Sequence, residues 1–266
     1  MAMRFPVSLL RLVPWLGYHH MLMFILSVSI ILLSILLAGC SSYSTMIGIY
    51  VLGIRYAKVS SASSDSQANP SLVSTIYSVQ GNATLDVRVG YFGICVRQSG
   101  VAWVCSSSGP ALVEQVGADR DPLNLIWLAD RFKSDTLFSG FIFLTIALAF
   151  ITVGLLYTFP GWHSEIDQVT GSAIDVKPFP SRPVSHAAVV LSCIATLMSL
   201  VSSLWQHTAA VAAKYTIQAV GFGTATTGGA AMAIGWASVV LLCIVAIGLI
   251  GMVISIIVLD TLTASE

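Results

Sequence analysis

The chain has 266 residues, 56% hydrophobic and only 9% charged, with a mean hydropathy of +0.87. Soluble domains carry charge on about a quarter of their residues, so this composition excludes an ordinary soluble protein and reads as a membrane protein. Twelve Lys and Arg balance twelve Asp and Glu, leaving no global field to draw in nucleic acid or an acidic partner.

The first element is a tail, residues 1–20, in which Arg4 and Arg11 alternate with Leu9, Leu10, Leu12 and Trp15. That mixture suits a short segment lying in the membrane interface. His19 and His20 follow with no carboxylate or cysteine beside them, and are read as polar anchors rather than a metal or pH-sensing pair.

Residues 21–38 then open a series of four apolar stretches, continued by 138–159, 187–205 and 230–259. Each approaches or exceeds the roughly 20 residues that a ~30 Å hydrocarbon core requires, and none contains Asp, Glu, Lys, Arg or His. Four crossings return the chain to its starting side. Arg4, Arg11, Lys177 and Arg182 flank the spans on that side, against Lys214 alone in the last loop. By the positive-inside bias the tail 1–20, the loop 160–186 and the end 260–266 are expected in the cytosol, and the loops 39–137 and 206–229 outside. "LLAGC", residues 36–40, imitates a bacterial lipoprotein cleavage box. Twenty residues precede the apolar run, however, more than a signal peptide's short charged start. An uncleaved first helix with Cys40 at the outer membrane edge is expected instead.

In the long first loop, residues 47–59 are rich in β-branched and aromatic side chains and predict a strand. "SSASSDSQANPS", residues 60–71, has the composition of a flexible loop. Asn82-Ala83-Thr84 is a glycosylation sequon, whereas Asn69 is disqualified by Pro70. Leu85, Val87, Val89 and Tyr91 then alternate with polar or small residues, as a half-buried strand does. Past Tyr91 the apolar set moves to Phe92, Ile94 and Val96. This one-residue slip predicts a bulge, with Gly90 and Gly93 able to host it. A return strand follows at 101–105, carrying Trp103. Nine residues separate Cys95 from Cys105, and that odd spacing lets the two lie opposite each other across a short loop with a left-handed Gly100.

Zinc would demand two more ligands, and the loop offers no histidine and no cysteine besides Cys40. A redox pair would normally read C-x-x-C. A structural disulfide between Cys95 and Cys105 is therefore expected, worth roughly 3 kcal/mol in the chain-entropy account, with Cys40, Cys193 and Cys243 inert.

"DPLNLIWLADRF" predicts a short amphipathic helix over 122–133, capped by Asp121 and started by Pro122. Asp119, Asp121, Asp130 and Asp135 are hard oxygen ligands of the kind calcium takes, and Asp119 and Asp121 are the weak candidates. Arg120, Arg131 and Lys133 dilute the charge, capping occupies Asp121 and pairing with Lys133 occupies Asp130, so no metal site is assigned. "HSEID", residues 163–167, reads as a solvated loop. No nucleophile has a base, and the chain is not expected to be an enzyme. Ser192, Thr196, Ser199 and Ser203 form a hydroxyl stripe on the third span, a pattern that serves helix packing. "WQHTAAVAAKYTIQAV" continues that helix past the membrane, and "GFGTATTGG" closes the last loop. In the fourth span Gly248, Gly251 and Ser255 are small residues suited to close packing, with Gly251 and Ser255 at the small-xxx-small spacing.

"GYHHMLM", "LLAGCSS", "GYFGIC" with its second cysteine (Gly90, Phe92, Gly93, Cys95, Cys105), "DPLNLIWLADRF" and "WQHTAAVAA" together resemble the fungal calcium-regulator and membrane-fusion family. These are pheromone-induced proteins linked to low-affinity calcium influx in mating cells. The architecture is similar to the wider claudin-like tetraspan group. The resemblance implies a membrane α-helical fold: a four-transmembrane-helix bundle with a small disulfide-stapled extracellular antiparallel β-sheet. It also implies a plasma-membrane protein that promotes calcium influx and fusion at cell contact during mating, as an accessory or scaffold. An oligomeric calcium pore and a claudin-like adhesion protein are the alternatives. Calcium enters as a regulated or transported ion, with no cofactor otherwise. The implied partners are the lipid bilayer and either a calcium channel, fusion machinery or further copies of the chain, with no nucleic acid. The tryptophan signature that claudins carry before their first cysteine is replaced here by Tyr91-Phe92-Gly93-Ile94, which counts against paracellular sealing.

Overall fold

The computed structural model describes residues 18–41, 45–56, 69–159, 163–166, 173–176, 181–221 and 223–263. The expected interfacial tail up to residue 17, the strand end 57–59, most of the Ser-rich stretch, Asp167, Lys177 and residues 264–266 lie outside them. In chain order the elements are α1 (Tyr18–Leu37), β1 (Leu52–Tyr56), α2 (Pro70–Gln80), β2 (Leu85–Val89), β3 (Ile94–Gln98) and β4 (Val104–Ser106). There follow α3 (Gly109–Val116), α4 (Leu125–Arg131), α5 (Gly140–Tyr157), β5 (His163–Ile166), β6 (Ala173–Val176), α6 (Arg182–Val220), β7 (Gly223–Thr227) and α7 (Gly229–Thr263). Four of the described helices, α1, α5, α6 and α7, are long and apolar enough to cross a membrane. The chain divides into two compact units.

The helical unit takes Met1–Ile31, Leu144–Met198 and Ser238–Glu266. Its helices are apolar on all sides, the pattern of segments that meet protein on one face and lipid on the other. Leu22 and Leu26 of α1, Ala149 and Leu156 of α5, Ala188 of α6 and Leu242 and Leu249 of α7 are buried in one cluster, while Phe24, Phe150 and Ile247 are left exposed. Alanines let the helices approach. Gly248 does so more closely, since a Cβ there would sit 2.7 Å from the Tyr18 hydroxyl and 3.0 Å from Leu22 Cδ2. The expected Gly251 and Ser255 packing pair is corrected: a Cβ on Gly251 would meet nothing within 4 Å, and Ser255 Oγ donates to the Gly251 carbonyl of its own helix at 2.8 Å. Gly251 therefore faces open space, while Met252 beside it packs against the helical cluster. "HSEID" is not plain loop: His163 to Ile166 form β5, paired antiparallel with β6.

The sheet unit takes Leu32–Phe143 and Ser199–Ala237. Its strands run in the order β4-β3-β2-β1-β7, every pairing antiparallel. Strand β1 is shorter than the expected 47–59 and follows a 3₁₀ turn at Met46–Gly48. Strand β7 lies in "GFGTATTGG", which reads from sequence only as a loop closure. Helices α2 and α3 are further additions, α2 opening where the Ser-rich stretch ends and capped by the Asn69 side chain, which accepts from the Ser71 amide at 3.1 Å.

The expected bulge at Gly90 and Gly93 is a hairpin turn instead. Strand β2 stops at Val89, the Gly90 amide donates to the Gly93 carbonyl at 2.9 Å, and β3 runs back with Val89 opposite Ile94 and Val87 opposite Val96. The apolar set changes from odd to even numbers because the strand reverses, not because it slips, and both sets face one core. Glycine is required because the turn lies on the end of α1: a Cβ on Gly90 would fall 2.6 Å from the Gly39 carbonyl oxygen, and one on Gly93 would overlap that of Cys40. At the next hairpin Gly100 has φ 81°, which a side chain would strain, and Cys95 lies directly opposite Cys105.

The expected helix over 122–133 is also redrawn. Asp121 to Asn124 form a turn, closed by the Asn124 amide on the Asp121 carbonyl at 3.0 Å. Asn124 takes a left-handed conformation, φ 54°, so Pro122 occupies the turn and the helix begins at Leu125. A π turn, Phe132–Thr136, ends it. Helix α4 packs on β2, β3 and α3, burying Leu125, Ile126 and Ala129 on the side of the sheet that holds Ile54, Val87 and Ile94.

Candidate functional site

Side chains alternate across a pleated sheet, so the registers that bury Ile54, Val87, Val89, Ile94 and Val96 place a second set on the opposite face. One cross-strand row reads Thr224, Arg55, Asp86, Arg97 and the next Thr226, Gly53, Arg88, Cys95, Cys105. In the first row Asp86 Oδ2 accepts from Arg55 Nη2 at 2.6 Å and from Arg97 Nη2 at 3.3 Å. In the second, the Arg88 guanidinium lies 4.3 Å from the Trp103 ring centre and 4.7 Å from that of Tyr50, and its Nη1 donates to the Ile47 carbonyl at 3.1 Å. Arg97 also lies over Trp103, at 4.7 Å. The indole is thus held by two cations, each contact worth about 0.5–1 kcal/mol at a half-exposed site. Three arginines against one aspartate make these rows positive in a chain whose total charge is zero.

The disulfide joins Cys95 to Cys105 across β3 and β4. Cys40 is buried in the same cluster, and burial pushes its thiol up to about 12; a thiol that does not ionise is a poor nucleophile. Cys193 and Cys243 are free and half-buried.

Asp121, Asp130 and Asp135 of the first loop have other employment. Asp121 is buried: its Oδ1 accepts from the Tyr56 hydroxyl at 2.6 Å and the Leu125 amide at 2.8 Å, its Oδ2 from the Ile126 amide at 2.9 Å. The carboxylate therefore caps α4 across the intervening turn and ties it to β1. Burial and then this bond push the Tyr56 phenol well above its ordinary range. Asp130 meets Lys133 at 3.2 Å and the Gly109 amide at 3.3 Å, and the Lys133 ammonium also donates to the Ser107 carbonyl. Asp135 meets Arg131 at 3.7 Å. Asp119 is exposed in the 3₁₀ turn Ala118–Arg120. The two weak calcium candidates, Asp119 and Asp121, are thus not brought together as ligands, and among the described residues no three His, Cys, Asp or Glu side chains converge. His19 is buried with its ring centre 4.1 Å from that of the exposed His20.

Asn82 is exposed, so its sequon is sterically open. It stands on the rim of a cleft of about 680 Å³ lined also by Arg55, Thr84, Asp86, Arg97 and Ser99. On the apolar side of the β2–β3 turn, Tyr91 is buried and donates to Gln206 Oε1 of α6 at 3.0 Å. The Gln206 amide in turn faces Met232 Sδ of α7 at 3.7 Å. Burial raises the Tyr91 phenol to about 12. The sequence pattern gives no partner to Arg55, Asp86, Arg97, Tyr91 or Gln206. Alternation puts the polar residues between Leu85, Val87 and Val89, Asp86 and Arg88, on the other face of the strand, but their cross-strand partners depend on a register set by the turn at Gly90.

Along α6 the hydroxyl stripe is buried at Ser192, Ser199 and Ser203. Thr196 Oγ1 donates to the Ser192 carbonyl at 2.8 Å, whereas the Ser192 and Ser199 hydroxyls have no hydrogen-bond partner among the described residues.

Residues 71–255, more than half of the chain, match the family described as Ca2+ regulator and membrane fusion protein Fig1. No curated protein matches the chain.

Proposed function

The chain belongs to the Fig1 family of Ca2+ regulator and membrane fusion proteins, and from that premise we propose that it promotes calcium entry and fusion as an accessory scaffold rather than as the conducting pore. The setting is the plasma membrane of fungal cells in mating contact. The sheet unit faces outward and both termini lie in the cytosol, in a claudin-like arrangement. Asn82 carries a glycan, and the chain performs no catalysis. The observation that carries the accessory role is the state of the acids: Asp86, Asp121, Asp130 and Asp135 are each engaged by cations or amides. The four apolar stretches hold no Asp, Glu, Lys, Arg or His. Calcium is a hard cation that takes several oxygen ligands at once, and charged groups inside a membrane are a usual mark of an ion path. Liposomes containing the purified chain alone should take up no calcium above empty liposomes, whereas mating cells lacking the protein should take up less than wild type. Uptake by the pure protein would overturn the scaffold role.

A second reading, an oligomeric pore, is favoured by the hydroxyls of Ser192 and Ser199, which have no hydrogen-bond partner among the described residues. It requires that Ser192→Ala, Thr196→Ala and Ser199→Ala together abolish flux while surface expression persists; unchanged flux would remove it.

A further inference from the structure

Arg55 and Arg97 both spend their hydrogen bond on one oxygen, Asp86 Oδ2. A guanidinium carries five N–H donors in a planar fork, and among the described residues neither arginine makes a second side-chain hydrogen bond. Their side chains are 57% and 42% exposed while that of Asp86 is 12% exposed, so two cationic heads share one sunken anion. Arg97 is further braced by the Trp103 ring at 4.7 Å. Both guanidiniums line the cleft of about 680 Å³, with the exposed hydroxyls of Thr84 and Ser99 beside them.

That chemistry discriminates among occupants. A calcium ion would meet two positive heads and one carboxylate already in use. A neutral sugar would seek an open aromatic face, and Trp103 is covered by Arg88 and Arg97. A carboxylate matches the fork of an arginine with two parallel hydrogen bonds. The volume falls within the range of side-chain-sized to small-ligand sites, enough for an extended segment but not a folded surface. We propose that this cleft takes an acidic segment of a partner protein, one of its carboxylates bound by the free N–H donors of Arg55 and Arg97. The site names the chemistry of the partner that an accessory scaffold requires, and in that respect rests on the scaffold reading.

The test uses the full chain in neutral-lipid nanodiscs and a fluorescent oligoglutamate peptide, read by polarisation at low salt. Oligoglutamate should bind at least tenfold more tightly than oligoglutamine, and Arg55→Gln and Arg97→Gln should each weaken it roughly tenfold. Ser99→Glu leaves the Asp86 trio intact and should abolish binding by placing a carboxylate in the cleft. Arg120→Gln, outside the cleft, should leave it unchanged. Retention of the Cys95–Cys105 disulfide by thiol counting confirms that the variants are folded. Equal binding of the two peptides, indifference to Ser99→Glu, or as large a loss with Arg120→Gln would overturn the site. So would displacement by inorganic phosphate or anionic vesicles at lower concentration than by unlabelled oligoglutamate, because it would assign a phosphate ligand instead. Peptide binding is measured apart from calcium flux, so failure here leaves the scaffold role standing, and flux in liposomes leaves the cleft standing.

Discussion

The helical unit and the sheet unit bury their interiors by different means. Leu22, Leu26, Leu156, Leu242 and Leu249 meet one another without direction, and the buried Thr152 bonds the Leu148 carbonyl of its own helix at 2.8 Å. The sheet unit is held by directed contacts between distant residues: Cys95 to Cys105, Tyr56 to Asp121, Arg55 and Arg97 to Asp86, Tyr91 to Gln206. Apolar packing tolerates exchange of side chains of similar volume, whereas a buried polar network fails when one member is removed. The sheet unit should therefore be the fragile half under substitution, and the half in which recognition is written.

The sharpest way to break that contrast is at the disulfide. Cys95→Ser should cost about 3 kcal/mol through the freed loop. Surface delivery in cells should fall to near background, while Cys193→Ser and Cys243→Ser leave it unchanged. Normal delivery and function of Cys95→Ser would refute the staple. Next comes Asp121→Ala, which strands the Tyr56 hydroxyl and two amides and should destabilise by roughly 3 kcal/mol or more. Thr152→Val should stay within about 1 kcal/mol. Thermal unfolding in detergent, with intrinsic fluorescence as the readout, compares the two; equal shifts would erase the distinction between the units.

The same physics decides what could be read in advance. The four apolar helices were legible because a bilayer demands length and freedom from charge, and α6 was legible past Trp205 because its composition stays helix-forming. The pairing of Cys95 with Cys105 was legible because spacing, parity and Gly100 agree, although the return strand is Val104–Ser106 rather than the expected 101–105 and leaves Trp103 outside it. The turn at Gly90–Gly93 was mistaken for a bulge, since the change of parity looks the same whether a strand slips or reverses, and the difference lies in the contact with Gly39 and Cys40. Strand β7 escaped notice because "GTATT" is short and weakly apolar and gains its status from pairing with β1. The basic rows were invisible for a related reason: Arg55, Asp86 and Arg97 are far apart in sequence, and a total charge of zero hides a local excess.

A smaller effect sharpens the comparison at Tyr91, where the β2–β3 turn meets α6. Tyr91→Phe should cost about 1 kcal/mol, leaving Gln206 Oε1 buried without its donor. The phenol is raised from 10.0 to about 12 in the folded protein. A raised acid of this kind favours the fold at every pH below its unfolded value, and that contribution is lost as pH climbs from 10 through 12. The ultraviolet difference titration between wild type and Tyr91→Phe should show one tyrosinate appearing only near pH 12. Ionisation near 10 would mean that the hydroxyl is open to water and the link to α6 is absent.

The smallest expected effects separate two glycines of α7. A methyl group at Gly248 must displace the Tyr18 hydroxyl and press on Leu22 Cδ2. Tyr18 can swing away, so Gly248→Ala should destabilise by only about 1 kcal/mol. Gly251→Ala meets open space and should be neutral or stabilising by a few tenths of a kcal/mol, since alanine restricts the unfolded chain. Unfolding in detergent measures both. The informative departure would be at Gly251: a loss of stability that disappears on dilution to monomer would show that a second chain packs against this exposed position, and would assign the Gly251–Ser255 spacing to assembly.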